Sequence, residues 1–245
     1  MSRIIQRSLR ETPDKAVRGE GIRLYLASGK VVIDGSGGAA VACIGHGNQR
    51  VAAAMADQAG RMAYAHTGFF TSEPAEALAD ILLADEPGGL THAFFVSSGS
   101  EAIETAIKLA RQYFLEIGQP QRTRFIARRQ SYHGTTLGAL SAGGHVARRA
   151  PYEPILSTAF SRVSPCFAYH FQAADEGDAQ YVERLAAELE AEFKQLARII
   201  HRTARNRPRP PNTWVRDFIA KNFIKQPIRI VVNDINGLAL IAHFS

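Results

Sequence analysis

The sequence predicts an α/β fold built on a mainly parallel sheet. Short apolar runs at 93–96 and 124–128 alternate with longer segments whose apolar residues recur at helical spacing. Both runs end in small-residue turns, Ser97-Ser98-Gly99-Ser100 and Ser131-Tyr132-His133-Gly134, as strand-to-helix connections do. With 245 residues, 46% apolar and 21% charged, the chain has room for one large domain or two modest ones. That composition excludes wholesale disorder and collagen-like structure. No apolar run approaches the length of a transmembrane helix.

In chain order, residues 25–27 and 30–34 flank Ser28-Gly29 and read as a small hairpin. Residues 48–61 read as a helix, with Val51, Ala52, Met55, Ala56 and Ala59 on one stripe. Residues 73–83 read as another, with Pro74 tolerated in its first turn. The run 93–96 reads as a buried strand. Ser98 and Glu101 then form a capping box. The helix it opens carries Ala102, Ile103, Ala106, Ile107 and Ala110 on one face. Residues 124–128 read as a second strand. Residues 180–196 read as an amphipathic helix burying Val182, Leu185, Ala186, Leu189 and Phe193. No internal repeat is present.

The net charge of +6 is unevenly placed. Residues 1–196 sum to −1, and 197–245 to +7, with nine Lys and Arg against Asp217 and Asp234. Four of the eleven prolines fall between Pro208 and Pro227. This tail reads as a linker at 198–211, a short helix at 214–223 and a strand at 228–232. Its aromatics are not interleaved with its basic residues, so nucleic acid is not the expected partner. Two cysteines fit a reducing compartment, and the expected location is cytoplasmic. Arg3, Arg7 and Arg10 before the first acid make a mitochondrial presequence the alternative. No membrane partner is expected.

Ser98, Gly99 and Ser100 sit at a predicted helix start. Free amides and the helix dipole favour an anion there, and the hydroxyls add donors. The site reads either as a phosphate cradle or as a plain helix cap. Tyr132-His133-Gly134 reads either as a ring that stacks on a flat cofactor at a strand end or as a surface turn. The stretch from Gly35 to Ala40 matches a dinucleotide fingerprint formally, but the required helix does not follow. Cys43 with His46 and Cys166 with His170 read as core cysteines and hydrogen-bonded histidines rather than zinc ligands, so no metal is expected. No phosphate-binding loop of the Gly-x-x-x-x-Gly-Lys type, nucleophile elbow or His-Glu-x-x-His helix occurs.

Together these motifs resemble the class III pyridoxal-phosphate-dependent aminotransferases, the omega-amino-acid transaminases and their relatives. The family pattern Phe-x-Asn-Ser-Gly-Ser-Glu-Ala-Asn-Glu stands here as Phe95-Val96-Ser97-Ser98-Gly99-Ser100-Glu101-Ala102-Ile103-Glu104. Its Tyr-His-Gly-x-Thr stands as Tyr132-His133-Gly134-Thr135-Thr136, and an earlier Gly-His element as Gly45-His46. Ser97 and Ile103 depart from the Asn of the common pattern. The resemblance runs from about Gly21 to Leu196. It implies a partial type I pyridoxal-phosphate-transferase fold, with pyridoxal 5'-phosphate as cofactor. The resemblance also implies that Ser98, Gly99 and Ser100 hold the phosphate, Tyr132 stacks on the pyridine ring and His133 lies beside it. Tyr25 and Phe69 would line the substrate cleft. An amino donor and a 2-oxo acid would be the substrates, and a homodimer the assembly.

A family member also needs a lysine that forms the internal Schiff base and an acid at the pyridine nitrogen. The six lysines are Lys15, Lys30, Lys108, Lys194, Lys221 and Lys225, and none has the family's Gly-rich context. Asp234 lacks the Glu-Val that should follow an equivalent acid. No catalytic residue is therefore assigned. The expected organisation is 1–70 as an N-terminal segment and part of a small domain, 71–196 as the first half of the cofactor domain, and 197–245 as a tail foreign to the family. A frameshift, a retained intron or a gene-model error would produce such a tail. The expected function is that of a transaminase truncated before its lysine and inactive alone. The alternatives are a non-catalytic half-domain pairing with a full-length paralogue, or polyanion binding through the basic tail.

Overall fold

Antiparallel pairing organises the beginning of the chain. Strands β1 (Ala16–Glu20), β2 (Arg23–Leu26) and β3 (Val31–Ile33) form a sheet in that order. The expected hairpin is its second half, with Tyr25 opposite Val31. Gly29 turns the chain at φ 83°, a left-handed value that glycine adopts without steric cost. β1 has no counterpart in the sequence reading, because Ala-Val-Arg-Gly-Glu lacks a run of strand formers. A computed structural model describes residues 3–8, 10–85 and 89–203, with backbone alone for 198–203 and for two further strands at 229–233 and 239–243. The chain divides into two units, Met1–Asp80 and Ile81–Ser245.

In the first unit, α1 (Gly37–Ala40) is a single irregular turn with Gly38 and Ala39 in left-handed conformations. The next helix starts only at Gln49, so the Gly-rich stretch has no dinucleotide geometry. α2 (Gln49–Arg61) matches the expected helix, and Asn48 caps it by accepting the Val51 amide at 3.2 Å. α3 (Glu73–Leu83) has the expected bounds.

The second unit holds the parallel pair. β4 (Phe125–Arg128) lies beside β5 (Phe160–Val163), with Phe125 opposite Phe160 and their rings stacked at 5.1 Å. Before them comes α4 (Gly99–Glu116) and between them α5 (Leu137–Ala142), α6 (Val146–Arg149) and a 3-10 turn, Ala150–Ile155. Ile103, Ala139 and Ala142 form the core, with Ile107 and Phe160 against it. The expected buried face of α4 is borne out at Ile103, Ala106 and Ala110. The run 93–96 corrects the sequence reading: it is not a strand, and Phe94 is 77% exposed. No described strand pairs with it, so it has no ladder to join.

After β5 come α7 (Ala168–Phe171) and α8 (Asp178–Thr203). α8 continues past Leu196, where the composition changes. Its buried face is turned from the expected one: Leu185 is buried as expected, but Val182, Ala186 and Phe193 are exposed, and Tyr181 and Leu196 are buried instead. Polar contacts set the rotation. Tyr181 Oη donates to Pro165 O at 3.1 Å and accepts the Phe167 amide at 2.9 Å. Glu188 accepts the Ser164 amide at 3.0 Å and Arg129 Nη2 at 3.1 Å.

β6 (Arg229–Asn233) and β7 (Ala239–His243) pair antiparallel, β6 agreeing with the expected strand. The linker expected at 198–211 is corrected over 198–203, which continue α8 as helix; its remainder and the helix expected at 214–223 lie outside the described residues.

Candidate active site

The N-terminus of α4 is built by its own capping box. Ser98 Oγ accepts the Glu101 amide at 3.2 Å, and Glu101 Oε2 accepts the Ser97 amide at 2.8 Å. The Ser97 amide is thereby satisfied within the cap. The amides of Gly99 and Ser100 come first in the helix and have no intrahelical acceptor. Nothing lies within 4 Å of the point where a Gly99 side chain would begin. The two amides stand at the positive end of an 18-residue helix. Ser98 and Ser100 each accept one amide hydrogen bond and keep their own O–H for donation.

The Tyr132-His133-Gly134 turn is fastened to this same helix end. The Thr135 amide donates to Ser100 Oγ at 3.0 Å. One turn further along α4, Glu104 Oε1 accepts the Gly138 amide at 2.8 Å and the Ala139 amide at 3.3 Å. Gly134 has φ 131°, and a Cβ there would run into Ser100 Oγ and lie 2.9 Å from both Ser100 Cα and Ala139 Cβ. Only glycine fits that conformation and that space. Tyr132 is half-buried, with the Arg148 guanidinium 4.8 Å from its ring centroid. His133 is buried.

The far end of α5 is held by two cations. Arg149, itself buried, donates through Nη1 to the carbonyls of Leu140, Ser141 and Gly143 at 2.9 to 3.1 Å, and Nη2 pairs with Glu153 at 3.0 Å. Arg162 donates to Gly143 O at 3.0 Å and also to Ser141 O. Burial lowers the Arg162 pKa from its usual value, and the neighbouring Arg149 charge adds to that. Sequence reading missed Glu104, Arg149 and Arg162. The available signal for Glu104 was its place four residues after Ser100, which puts both on one face of the helix.

The structure thus gathers Ser98, Gly99, Ser100, Tyr132 and His133 in the second unit, on two connected segments. Tyr25 and Phe69 belong to the first unit. Tyr25 carries Arg18 over its ring at 3.7 Å and donates to Glu20 Oε2 at 3.3 Å. Phe69 is 80% exposed and lies against His66. His46 is hydrogen-bonded as expected, to Asp34 Oδ2 at 2.9 Å. Cys43 and Cys166 correct the sequence reading, because both are exposed rather than in the core. Cys43 Sγ lies 3.0 Å from Ala40 O, in the irregular turn that leaves it at the surface. Among the described residues no group of three or more His, Cys, Asp or Glu could hold a metal ion. No described helix is long and apolar enough to cross a membrane.

Residues 4–203 match the family model described as aminotransferase class-III. An uncharacterised aminotransferase of Schizosaccharomyces pombe is 48% identical over 181 residues, 74% of this chain and 39% of that protein. An uncharacterised aminotransferase of Bacillus subtilis is 40% identical over 72% of this chain and 39% of its own length. The chain therefore spans well under half of these relatives. Among solved structures, an (S)-enantioselective omega-transaminase from Thermomicrobium roseum superposes with a TM-score of 0.71 at 39% identity, covering 76% of this chain and 41% of that one. An omega-transaminase from Pseudomonas jessenii in complex with PMP gives 0.71 at 30% identity, over 75% and 40%. The matched segment, its partial α/β fold and the Ser-Gly-Ser and Tyr-His-Gly segments tied together within it agree: the chain belongs to the class III aminotransferase family.

Proposed function

We propose that this chain forms the phosphate-and-ring end of a pyridoxal 5'-phosphate site in a transaminase. The complete enzyme moves an amino group from an amine or amino acid to a 2-oxo acid. The observation that carries the reading is the start of α4, where the Gly99 and Ser100 amides have no intrahelical acceptor and Ser100 Oγ is tied to the Tyr132 turn through the Thr135 amide. That donor set suits a phosphate dianion. Pyridoxal phosphate would supply the electron sink that amino transfer needs. The amides of Gly99 and Ser100 and the hydroxyls of Ser98 and Ser100 bind and orient its phosphate. Tyr132 offers a flat apolar face to its ring and excludes water there, with His133 beside it. Tyr25 and Phe69 belong to the cleft that receives the amino donor. A second copy of the complete chain forms the dimer, and the compartment in this reading is the cytoplasm.

None of the six lysines stands in the family's Gly-rich context, which supports the reading that this chain alone does not turn over. The test uses the purified 245-residue chain. It is expected to bind pyridoxamine 5'-phosphate weakly, in competition with inorganic phosphate, and to give no alanine from pyruvate and an amino donor. Turnover by the pure chain overturns the inactivity, and failure to bind either phosphate compound overturns the site. A second reading is a half-domain that pairs with a full-length paralogue. The exposure of Phe94 (77%) and Ile81 (74%), apolar side chains in the second unit, favours a covering partner. Co-purification with an intact transaminase separates the two readings.

A further inference from the structure

Glu104 makes contacts that capping of its own helix does not require. Its Oε1 accepts two successive amides, those of Gly138 and Ala139, from the first turn of α5. Thr136, at the N-cap position of α5, makes no side-chain cap bond. Glu104 therefore serves as the cap from a different helix, and a carboxylate at that position also complements the dipole of α5. The fit is close. A Cβ on Gly138 would meet the end of the Glu104 side chain, so any larger residue there displaces the carboxylate. At the opposite end of α5, Arg149 and Arg162 occupy the carbonyls. The helix is held by an anion at its start and by cations at its finish.

Ser100 and Glu104 lie one turn apart on α4 and fasten the two sides of the same turn: Ser100 takes the Thr135 amide and Glu104 takes those of Gly138 and Ala139. Tyr132 and His133 immediately precede that clamp. We propose that Glu104 is a positioning residue that sets the Tyr132 ring at a fixed distance from the phosphate donors of α4. The inference rests on the reading that pyridoxal phosphate occupies this site. The phosphate and the pyridine ring belong to one stiff molecule. The two segments that receive them must therefore keep their spacing to a fraction of an ångström. A free phosphate makes no such demand, because it touches α4 alone.

The test compares wild type, Glu104→Ala and Glu104→Gln as full-length chains, with two probes measured by ligand-observed NMR. Pyridoxamine 5'-phosphate carries both ring and phosphate, and inorganic phosphate carries one. E104A is expected to weaken pyridoxamine phosphate about tenfold, the scale of one charge-assisted hydrogen bond, and to leave inorganic phosphate within about twofold. E104Q keeps an acceptor oxygen and is expected to recover most of the loss. If E104A does not fold, E104Q decides, with a loss of about threefold confined to pyridoxamine phosphate. Equal weakening of both probes, or no change in either, overturns the assignment. A wild-type chain that binds neither probe overturns the site itself. Wild-type binding with unchanged variants overturns the role of Glu104 alone.

Discussion

The amide of Thr135 donates to the hydroxyl of Ser100 at 3.0 Å across 35 residues of chain, so the helix end and the aromatic turn share one hydrogen bond. Ser100→Ala removes the acceptor and one proposed phosphate donor together. It is expected to cost about 1 kcal/mol of stability and about tenfold in pyridoxamine phosphate affinity, while Ser100→Thr keeps most of both. Urea melts and ligand titrations check this. An S100A chain that binds as tightly as wild type removes Ser100 from the site.

Gly134→Ala tests the closeness of that approach. The added Cβ meets Ser100 Cα and Ala139 Cβ at 2.9 Å, and the backbone stands at φ 131°. Strain and overpacking together predict a loss of about 2 to 4 kcal/mol. Chemical denaturation reads it directly. A loss below about 0.5 kcal/mol would mean that the turn relaxes freely.

Arg149→Met keeps much of the side-chain volume and deletes the charge. Three carbonyls at the end of α5 then lose their shared donor, and the Glu153 pairing goes with it. The expected cost is about 3 kcal/mol, because the Leu140 carbonyl is left without a side-chain donor and those of Ser141 and Gly143 keep only Arg162. Near-neutral stability of R149M would show that Arg162 alone can hold that end.

The first unit should weaken in acid through Asp34. Its hydrogen bond from His46 at 2.9 Å holds the carboxyl below the usual carboxylate range, and the Gly38 amide at 3.2 Å adds to this. A carboxyl depressed in the folded state takes up its proton first when unfolded, at about pH 3.9. Its contribution is therefore complete above that value and is lost as pH falls through the lower folded pKa. Thermal melts of wild type should fall across that acid range. Asp34→Asn should start lower at pH 7 and show a flatter acid limb. A carbon-detected NMR titration placing Asp34 at 4 or above would contradict this.

Local signals were legible where local rules decide the structure. The capping box at Ser98 and Glu101, the Asn48 cap and the stripe through Ile103, Ala106 and Ala110 all work within one helix, and all were readable. The run 93–96 looked like a strand because its composition is apolar, but a strand also needs a neighbour, which composition does not report. The turned face of α8 has a similar cause. Tyr181 and Glu188 find partners on the loop after β5, and those two hydrogen-bonded side chains outweigh the apolar stripe. Within the site, the placement of Ser98, Gly99 and Ser100 at a helix start followed from spacing. The residues that fix their relation to Tyr132 did not, since Glu104 meets Gly138 only after 34 residues of intervening chain have folded back.

That meeting has an evolutionary corollary. Because a Cβ at 138 meets the movable end of the Glu104 side chain, a substitution at 138 shifts the carboxylate, and the two positions are coupled. In a double-mutant cycle, Gly138→Ala should cost less stability beside Glu104→Ala than beside Glu104, because the clashing carboxylate is then gone. The turn that follows the aromatic ring thus depends on a coupled pair, a glycine on one helix and a glutamate on another.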